Sequence, residues 1–538
     1  MSIQPPREQW ATKIGVILAV SGSAVGLGNF LRFPGKAAEY GGGAFMIPYF
    51  ISLLILGIPI CWVEWTIGRQ GGRMGFNSSP GVFCALLRHK AARVFGTLAL
   101  VIPVIIYMYY VYIEAWCLAY AWDYLTGTMS RVTEYKTHFD ELVGNNANGL
   151  TGDGGGPRRG IFFLLIVFAI NFFLIYRGLT RGIESFCKVA MPLLIVSAII
   201  VLARVLTLGT PNPNLPEQNV YNGLGYMWNP KPVGGGTGTF SALWNPQTWL
   251  EASGQIFFSL SVGFGIITTY ASYLGKREDV VLSGLTSSAT NEFCEVCLGG
   301  LITVPAAFIF LGADPLAGSN TFSLGFLTLP EVFNVMHAGR FFGFIWFFML
   351  FLAAITSSLS MLQPAIAFLE EGFGLRRKDS VAMLGMITAL GTLVVVFFSK
   401  DLAALNTMDF WVGSFFIYML ATFLVIMFAW VIGVDKGFAL LTEGAEIPVP
   451  RIFKFVVKYV SPTYLLVVFA FWIHYNARDY VAAVVSDNDV LFTVVFILLV
   501  AIFFFLLISL AHNRWLAEGR ATLFRERGFP VDPVDRNP

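Results

Sequence analysis

Long apolar stretches separated by short polar breaks dominate the pattern of this chain. A bilayer core of about 30 Å requires roughly 20 mostly apolar residues per helix, and about twelve stretches reach that length. The pattern therefore predicts an all-α integral membrane protein. Its helices are expected near residues 12–38, 43–70, 91–125, 160–178, 186–208, 248–273, 281–310, 340–371, 380–398, 408–433, 454–478 and 488–513.

The connections between these stretches alternate in charge. Every second connection is rich in Lys and Arg, and the positive-inside rule places these connections and both termini in the cytoplasm. The basic clusters are Arg7 and Lys13; Arg88, Lys90 and Arg93; Arg177, Arg181 and Lys188; Lys276 and Arg277; Arg376, Arg377 and Lys378; and Arg514, Arg520, Arg525 and Arg527. Segments 126–160 and 209–247 are then external loops, and we also consider whether the external segment 312–331 dips back toward the core.

Composition narrows the class of protein. Apolar residues make up 56% of the 538 residues and charged residues 13%, and the mean hydropathy is +0.69, which excludes an ordinary soluble domain. The net charge of +2 and the scattered basic residues argue against nucleic acid as a partner. Cys294 and Cys297 form a CxxC in an apolar helix, where structural thiols are favoured over a metal site. We expect membrane lipid around the chain, in a bacterial inner (plasma) membrane.

A short repeat marks the first and sixth stretches. Residues 24–28 read Ala-Val-Gly-Leu-Gly, and residues 261–265 read Ser-Val-Gly-Phe-Gly. Glycine costs about 1 kcal/mol in a helix interior relative to alanine, so both helices are predicted to break at mid-membrane depth. Either glycine pair alone also fits close helix packing, and a dinucleotide loop is excluded because Leu31 occupies its third glycine position. The occurrence in both halves favours the binding site of a transporter.

Polar side chains accompany these breaks. Amide and hydroxyl oxygens can replace the hydration shell of an alkali cation, although isolated hydroxyls often bond back to their own helix. The candidates are Ser23, Asn29, Ser259, Ser261, Asn291, Thr356, Ser357 and Ser358. The carboxylates within helices, Glu64, Glu114, Glu292 and Glu295, are predicted to be partners of backbone or basic groups rather than catalysts.

Longer motifs resemble those of the neurotransmitter:sodium symporters. The matching runs are EQWAT (8–12), AVGLGNFLRFP (24–34), GGGAFMIP (41–48), YYVYIE (109–114), GQIFF (254–258) and MDFW (408–411). The resemblance implies one transmembrane transporter domain over residues 1–538, with broken helices 1 and 6. Helices 1–5 would form a first five-helix repeat (12–208), helices 6–10 an inverted second repeat (248–433), and two additional helices would follow (454–513).

The resemblance also implies two sodium ions and no organic cofactor. The first ion would be bound by the Ala24 carbonyl, Asn29, Ser259, Asn291 and the carboxylate of the substrate itself. The second would be bound by the carbonyls of Gly22, Val25 and Ala353 and by the hydroxyls of Thr356 and Ser357. Because the substrate supplies one ligand of the first ion, binding of the two would be coupled.

The implied substrate is a small neutral amino acid. Its carboxylate would meet the amides of Leu27 and Gly28 and the Tyr110 hydroxyl, and its amino group would meet Ala24, Phe258, Ser259 and Ser261. Ile106, Phe258, Phe264, Ser357 and Met361 would surround its side chain. Gly26 stands where monoamine carriers of the family have an aspartate, so the substrate must bring its own carboxylate.

Glu295 and two gates complete the implied site. Glu295 stands where chloride-dependent members have a serine, which predicts chloride independence. Arg32 and Asp409 would form an outer gate above an aromatic lid of Tyr110 and Phe258. Arg7, Trp10, Ser272 and Tyr273 would form an inner gate, with Glu371 in place of the aspartate that usually pairs with Arg7.

These inferences predict a sodium-coupled secondary active symporter of neutral, aliphatic L-amino acids that works by alternating access. A sodium-independent exchanger of similar topology is the nearest alternative. A channel lacks a ring of filter residues, and the absence of HExxH and GxSxG motifs argues against an enzyme. We keep a homodimer open as the assembly.

Overall fold

The computed structural model describes residues 10, 12–87, 89–150, 157–233, 238–275, 278–313, 316 and 321–518. Within these ranges the chain is helical and contains no β-strand; one isolated bridge joins Gly42 and Pro230. The all-α fold predicted from the sequence is confirmed.

Twelve helical regions follow one another in the predicted order. They are α1 (Lys13–Ala24 and Gly28–Glu39), α2 (Met46–Arg73), α3 (Ala91–Thr126), α4 (Arg158–Tyr176), α5 (Leu179–Leu206), α6 (Pro246–Leu260 and Ile266–Ser272), α7 (Val280–Leu311), α8 (Gly339–Phe373), α9 (Arg377–Phe397), α10 (Lys400–Leu441), α11 (Ile452–Ser486) and α12 (Asn488–Ala517). Among the described residues, ten of these are single helices long and apolar enough to cross a membrane, and the halves of α1 form an eleventh span bent by 49°. The halves of α6 are each too short to span a membrane alone, so the span predicted at 248–273 consists of two pieces.

Side-chain caps fix where several of these helices begin. Thr12 accepts a hydrogen bond from the Gly15 amide at the start of α1, and Asp279 does the same for the Leu282 amide at the start of α7. Asn245 caps α6, which opens with a proline. Such caps satisfy amides that have no partner inside the helix.

The connections contain helices that the sequence analysis assigned to loops. They are Ser79–Leu86, Tyr135–Val143, Val220–Trp228 and, beyond the described residue 316, the run from Thr321 to Val335. This last run packs inward, because the hydroxyls of Tyr120 and Tyr124 on α3 donate to the carbonyls of Phe326 and Pro330. The described part of segment 312–331 therefore does return to the core.

The centre of the molecule lies at α3. In the most apolar part of α3, 89% of the residues are buried, compared with 28% in α11 and in α12. α3 and α8 pack against each other along their length, and α1 and α6 place their interrupted segments beside them. The two breaks thus lie beside the most buried helix of the fold, while α11 and α12 lie at its edge. The boundaries of the two repeats stay a prediction.

Candidate substrate and ion site

The break in α1 leaves backbone amides that side chains satisfy. The chain leaves the helix at Val25, whose ψ is 102°. The Gly26 amide then donates to Asn29 Oδ1 at 2.8 Å, and the Leu27 amide donates to the Tyr110 hydroxyl at 3.2 Å. Because a buried amide needs an acceptor, these two side chains stabilise the unwound segment.

The break in α6 has a different backbone. Ser261, Gly263 and Gly265 have φ values of 53°, 79° and 79°, in the left-handed region that glycine adopts without strain. The Gly263 amide donates to Glu64 Oε1 at 3.0 Å, and Ser261 Oγ donates to the Ser23 carbonyl at 3.0 Å. Glu64 on α2 is therefore a partner of backbone, as predicted, and Ser261 links the two breaks.

A small cavity of about 20 Å³ lies between the breaks. It is lined by Ser23, Ala24, Gly26, Gly28, Asn29, Tyr110, Phe258, Ser259, Ser261, Phe264, Ser357 and Met361. The structure thus brings together the predicted substrate residues except Ile106 and Leu27, which do not line the cavity. Ile106 is buried elsewhere, and the Leu27 amide donates to the Tyr110 hydroxyl, which does line it. One water needs roughly 10–15 Å³ of such space, so the walls must separate to admit an amino acid.

The glycines of α1 allow the surrounding helices to approach. A Cβ added to Gly26 would lie 2.7 Å from the Tyr110 hydroxyl and 3.0 Å from Ser357 Oγ. A Cβ added to Gly28 would lie 3.1 Å from the ring of Phe258. Any larger residue would fill the space in which a ligand could sit.

The four residues predicted for the first sodium site meet at one point beside this cavity. Asn29 Nδ2 donates to Asn291 Oδ1 at 2.9 Å and lies 3.3 Å from Ser259 Oγ. With its amide group turned over, Asn291 donates instead to the carbonyls of Ala24 and Ser259, each at 3.2 Å. Amide, hydroxyl and carbonyl oxygens therefore converge in a fully buried pocket.

Glu295 reaches into the same cluster. Its carboxylate accepts hydrogen bonds from Asn29 Nδ2 at 3.0 Å, from Gln255 Nε2 at 2.9 Å and from Ser259 Oγ. The cluster thus contains a carboxylate that can balance a cation. Gln255 escaped the sequence analysis, although its position one turn before Ser259 on α6 could have indicated it.

The residues predicted for the second sodium site also meet, between α1 and α8. Ser357 Oγ lies 3.2 Å from the Gly22 carbonyl, 3.4 Å from that of Val25 and 3.1 Å from that of Ala353. Thr356 Oγ1 lies 3.1 Å from the Ala353 carbonyl. Three carbonyls and two hydroxyls offer the oxygen-only environment that a hard cation prefers.

The residues predicted for the outer gate share a second cavity but do not pair. Arg32 and Asp409 both line this cavity of about 900 Å³. Among the described residues no ion pair joins them, so the expected closed gate is not formed in this conformation. Arg32 lies over the ring of Phe258, with 4.7 Å from Cζ to the ring centroid, and Asp409 accepts a 2.7 Å hydrogen bond from Tyr109.

Three residues predicted for the inner gate contact neighbouring helices. Trp10 Nε1 donates to the Tyr270 carbonyl at 3.1 Å, and the two rings pack edge to face. Ser272 Oγ donates to the Asn77 carbonyl at 3.1 Å, and the Tyr273 hydroxyl accepts from Gln363 at 3.4 Å. Trp10 thus packs against the second half of α6, while Ser272 and Tyr273 bind other parts of the chain.

Glu371 contacts the start of the helix Ser79–Leu86. Its carboxylate accepts hydrogen bonds from the Asn77 amide at 2.5 Å and from Ser78 Oγ at 3.0 Å, at the beginning of the helix Ser79–Leu86. Its predicted partner Arg7 lies outside the described residues. The pairing of Glu371 with Arg7 stays a prediction.

Comparison with known proteins identifies the family to which this chain belongs. The model of the sodium:neurotransmitter symporter family matches residues 7–141 and 155–513, and the chain belongs to that family. Membership makes it a sodium-dependent membrane transporter, as the broken helices and oxygen-lined clusters indicate.

Individual relatives agree with this assignment. An uncharacterized sodium-dependent transporter of Methanocaldococcus jannaschii is 31% identical over 86% of this chain and 89% of its own length. The sodium- and chloride-dependent taurine transporter of Rattus norvegicus is 26% identical over 82% of this chain and 73% of its own. The crystal structure of MhsT in complex with L-phenylalanine superposes with a TM-score of 0.73 at 27% identity, covering 86% of this chain and 99% of MhsT.

Proposed function

We propose that this protein is a symporter that couples the uptake of neutral, aliphatic L-amino acids to sodium by alternating access, without need of chloride. The observation that carries the proposal is the position of the small cavity between two clusters of buried oxygens. One cluster contains Asn29, Ser259 and Asn291, and the other contains Thr356 and Ser357. Both clusters include parts of α1, so ions bound there would fix its break in a conformation that receives the substrate.

The two clusters are the proposed sodium sites. The first would use the Ala24 carbonyl, Asn29, Ser259, Asn291 and the substrate carboxylate; the second would use Gly22, Val25, Ala353, Thr356 and Ser357. In the first, sodium and the substrate carboxylate would each improve the site for the other. This reciprocal stabilisation is the physical basis of coupling.

The proposed substrate class follows from the chemistry of the cavity. The amides of Leu27 and Gly28 and the hydroxyl of Tyr110 are donors suited to a carboxylate, and nearby carbonyls suit an ammonium group. Phe258, Phe264 and Met361 are apolar walls for an uncharged side chain. MhsT, whose structure contains L-phenylalanine, supports an amino acid as the ligand.

The proposal of chloride independence rests on Glu295. Its carboxyl group lies within hydrogen-bond distance of Asn29 and Ser259 and can supply a negative charge there. A separate anion would add a second negative charge at the same buried position, which is unfavourable. We further propose a bacterial inner membrane as the location, with both termini in the cytoplasm.

The second ion site can be tested by uptake into proteoliposomes with an inward sodium gradient. The double variant Thr356→Ala, Ser357→Ala removes both hydroxyls and should abolish sodium-driven uptake of alanine, leucine and methionine. Ser358→Ala is the matched control, because that hydroxyl donates to Asn171 Oδ1 at 2.8 Å, away from the site. Normal transport by the double variant would contradict the assignment.

The role of Glu295 can be tested in the same assay. Replacing chloride with gluconate should leave uptake by the unmodified protein unchanged, whereas Glu295→Ser should transport only when chloride is present. Glu292→Ser is the control, since Glu292 binds the Tyr49 hydroxyl at 2.8 Å one turn earlier on α7. Chloride-dependent uptake by the unmodified protein would refute this part of the proposal.

A further inference from the structure

We propose that Tyr109 is a positioning residue that holds the outer gate open. Its hydroxyl binds the gate carboxylate of Asp409 and keeps it from Arg32 until closure. The inference rests on the proposed function, because it assigns a step to the gate of that transporter. It adds Tyr109 to the residues assigned from the sequence motifs.

The contact between Tyr109 and Asp409 has the geometry of a charge-assisted hydrogen bond. Tyr109 is 2% exposed on α3, and its hydroxyl donates to Asp409 Oδ1 at 2.7 Å. Gly413, one turn after Asp409 on α10, makes room for it: a Cβ there would lie 2.9 Å from Asp409 Oδ1 and 3.2 Å from the Tyr109 hydroxyl. Such bonds are short and stronger than neutral ones, so Asp409 is held in place.

Arg32 is held on the opposite side of the entrance. Its guanidinium lies over the ring of Phe258, which lines the small cavity. Its Nη1 is buried and has no hydrogen-bond partner among the described residues. A buried donor without an acceptor is costly, so Arg32 gains an acceptor when Asp409 becomes available.

Closure is therefore an exchange of partners. Asp409 leaves the Tyr109 hydroxyl and pairs with Arg32, which draws α1 and α10 together across the large cavity. Tyr110, the next residue on α3, contacts the Leu27 amide in the small cavity. α3 thus contacts both the gate and the substrate site through consecutive residues, so a ligand that repositions Tyr110 also acts on the residue beside it.

The test uses the accessibility of a cysteine in the large cavity. Gly254→Cys is suitable, because Gly254 lines this cavity and a Cβ there meets no atom within 4 Å. The reporter is built into a chain with Cys84 and Cys297, the two native thiols that are not fully buried, replaced by alanine. Its rate of reaction with a membrane-impermeant methanethiosulfonate is measured in sodium without amino acid.

Tyr109→Phe removes only the hydroxyl and should slow this reaction about fivefold, because the released Asp409 closes the entrance with Arg32. Tyr112→Phe is the matched control: its hydroxyl is also buried on α3 but donates to the Val143 carbonyl at 3.2 Å. That variant should leave the rate unchanged. An unchanged or faster rate in Tyr109→Phe would overturn the proposal.

A double-mutant cycle distinguishes a gate effect from a general loss of structure. In an Asp409→Asn background, which weakens the pairing with Arg32, the further change Tyr109→Phe should have no additional effect. A fivefold slowing that persists there would mean that Tyr109 acts elsewhere. The cycle needs no substrate. Failure to find a transported amino acid would therefore refute the proposed function, whereas the role of Tyr109 would still be decided by the reaction rates in the cycle.

Discussion

The breaks in α1 and α6 have nearly the same sequence but different structures. In α1 the unwound residues have no left-handed φ among Ala24 to Gly28, and their amides bind Asn29 and Tyr110, which both line the small cavity. In α6 three of five residues are left-handed, and the Gly263 amide binds the carboxylate of Glu64, which lies outside that cavity.

The difference shows which break is structural and which one responds to ligands. Glu64 is fully buried on α2 and lies outside both cavities, so nothing that binds there competes with it. Tyr110 and Asn29 belong to the candidate substrate and sodium sites, so ligands would share or replace their bonds to α1. We infer that α6 is a fixed scaffold, against which the conformation of α1 changes.

The largest expected effect is that of removing the scaffold carboxylate. Glu64→Ala leaves the Gly263 amide buried without its acceptor and creates a cavity, which should cost about 3 kcal/mol or more of stability. The measurement is the unfolding midpoint of the purified protein in detergent. Glu64→Gln keeps an acceptor oxygen and serves as the control; equal midpoints for the two variants would refute the structural role.

Tyr110→Phe should act mainly on binding. The lost hydroxyl would serve both the Leu27 amide and a substrate carboxylate, so amino acid binding should weaken by about 1–3 kcal/mol. Without ligand, the unfolding midpoint should fall less than in Glu64→Ala, because the Leu27 amide loses its acceptor but no large side chain is removed. Unchanged affinity in equilibrium binding would place the carboxylate elsewhere.

Gly26 and Gly263 occupy the same position in the two breaks, so replacing each one compares the breaks directly. Gly263→Ala introduces a side chain at φ 79°, which should reduce stability by about 1–2 kcal/mol. Gly26→Ala has no such backbone strain, but its Cβ would lie 2.7 Å from the Tyr110 hydroxyl, so its main effect should be to weaken binding, by about tenfold. If both variants changed the same property, the two breaks would not differ in role.

The sequence was most informative where composition alone dictates structure. The apolar lengths predicted the helices, and the glycine pairs predicted the position of both breaks. The sequence analysis missed the short helices Tyr135–Val143 and Val220–Trp228. They lie in segments 126–160 and 209–247, where the flanking residues are rich in glycine, asparagine or proline. Val220–Trp228, for example, begins after Asn219, whose side chain accepts from the Asn222 amide, and a single cap is a weak signal without tertiary context.

Partners supplied by distant helices could not be predicted from the pattern. Glu64 and Gly263 are 199 positions apart, and Tyr109 and Asp409 are 300 positions apart. Family motifs indicated that Arg32 and Asp409 are close, and both do line one cavity. In this conformation Arg32 packs on Phe258 and Asp409 binds Tyr109, so the two gate residues do not pair. That choice depends on side-chain packing, which sequence spacing cannot predict.

The central claim is that an amino acid and sodium bind to one site around the break in α1. The most direct measurement is equilibrium binding of a panel of radiolabelled amino acids to the purified protein, in sodium and then in potassium, at fixed ionic strength without chloride. The account predicts that one or a few neutral aliphatic amino acids bind in sodium and not in potassium. Equal binding in both salts would contradict it and would favour a sodium-independent exchanger.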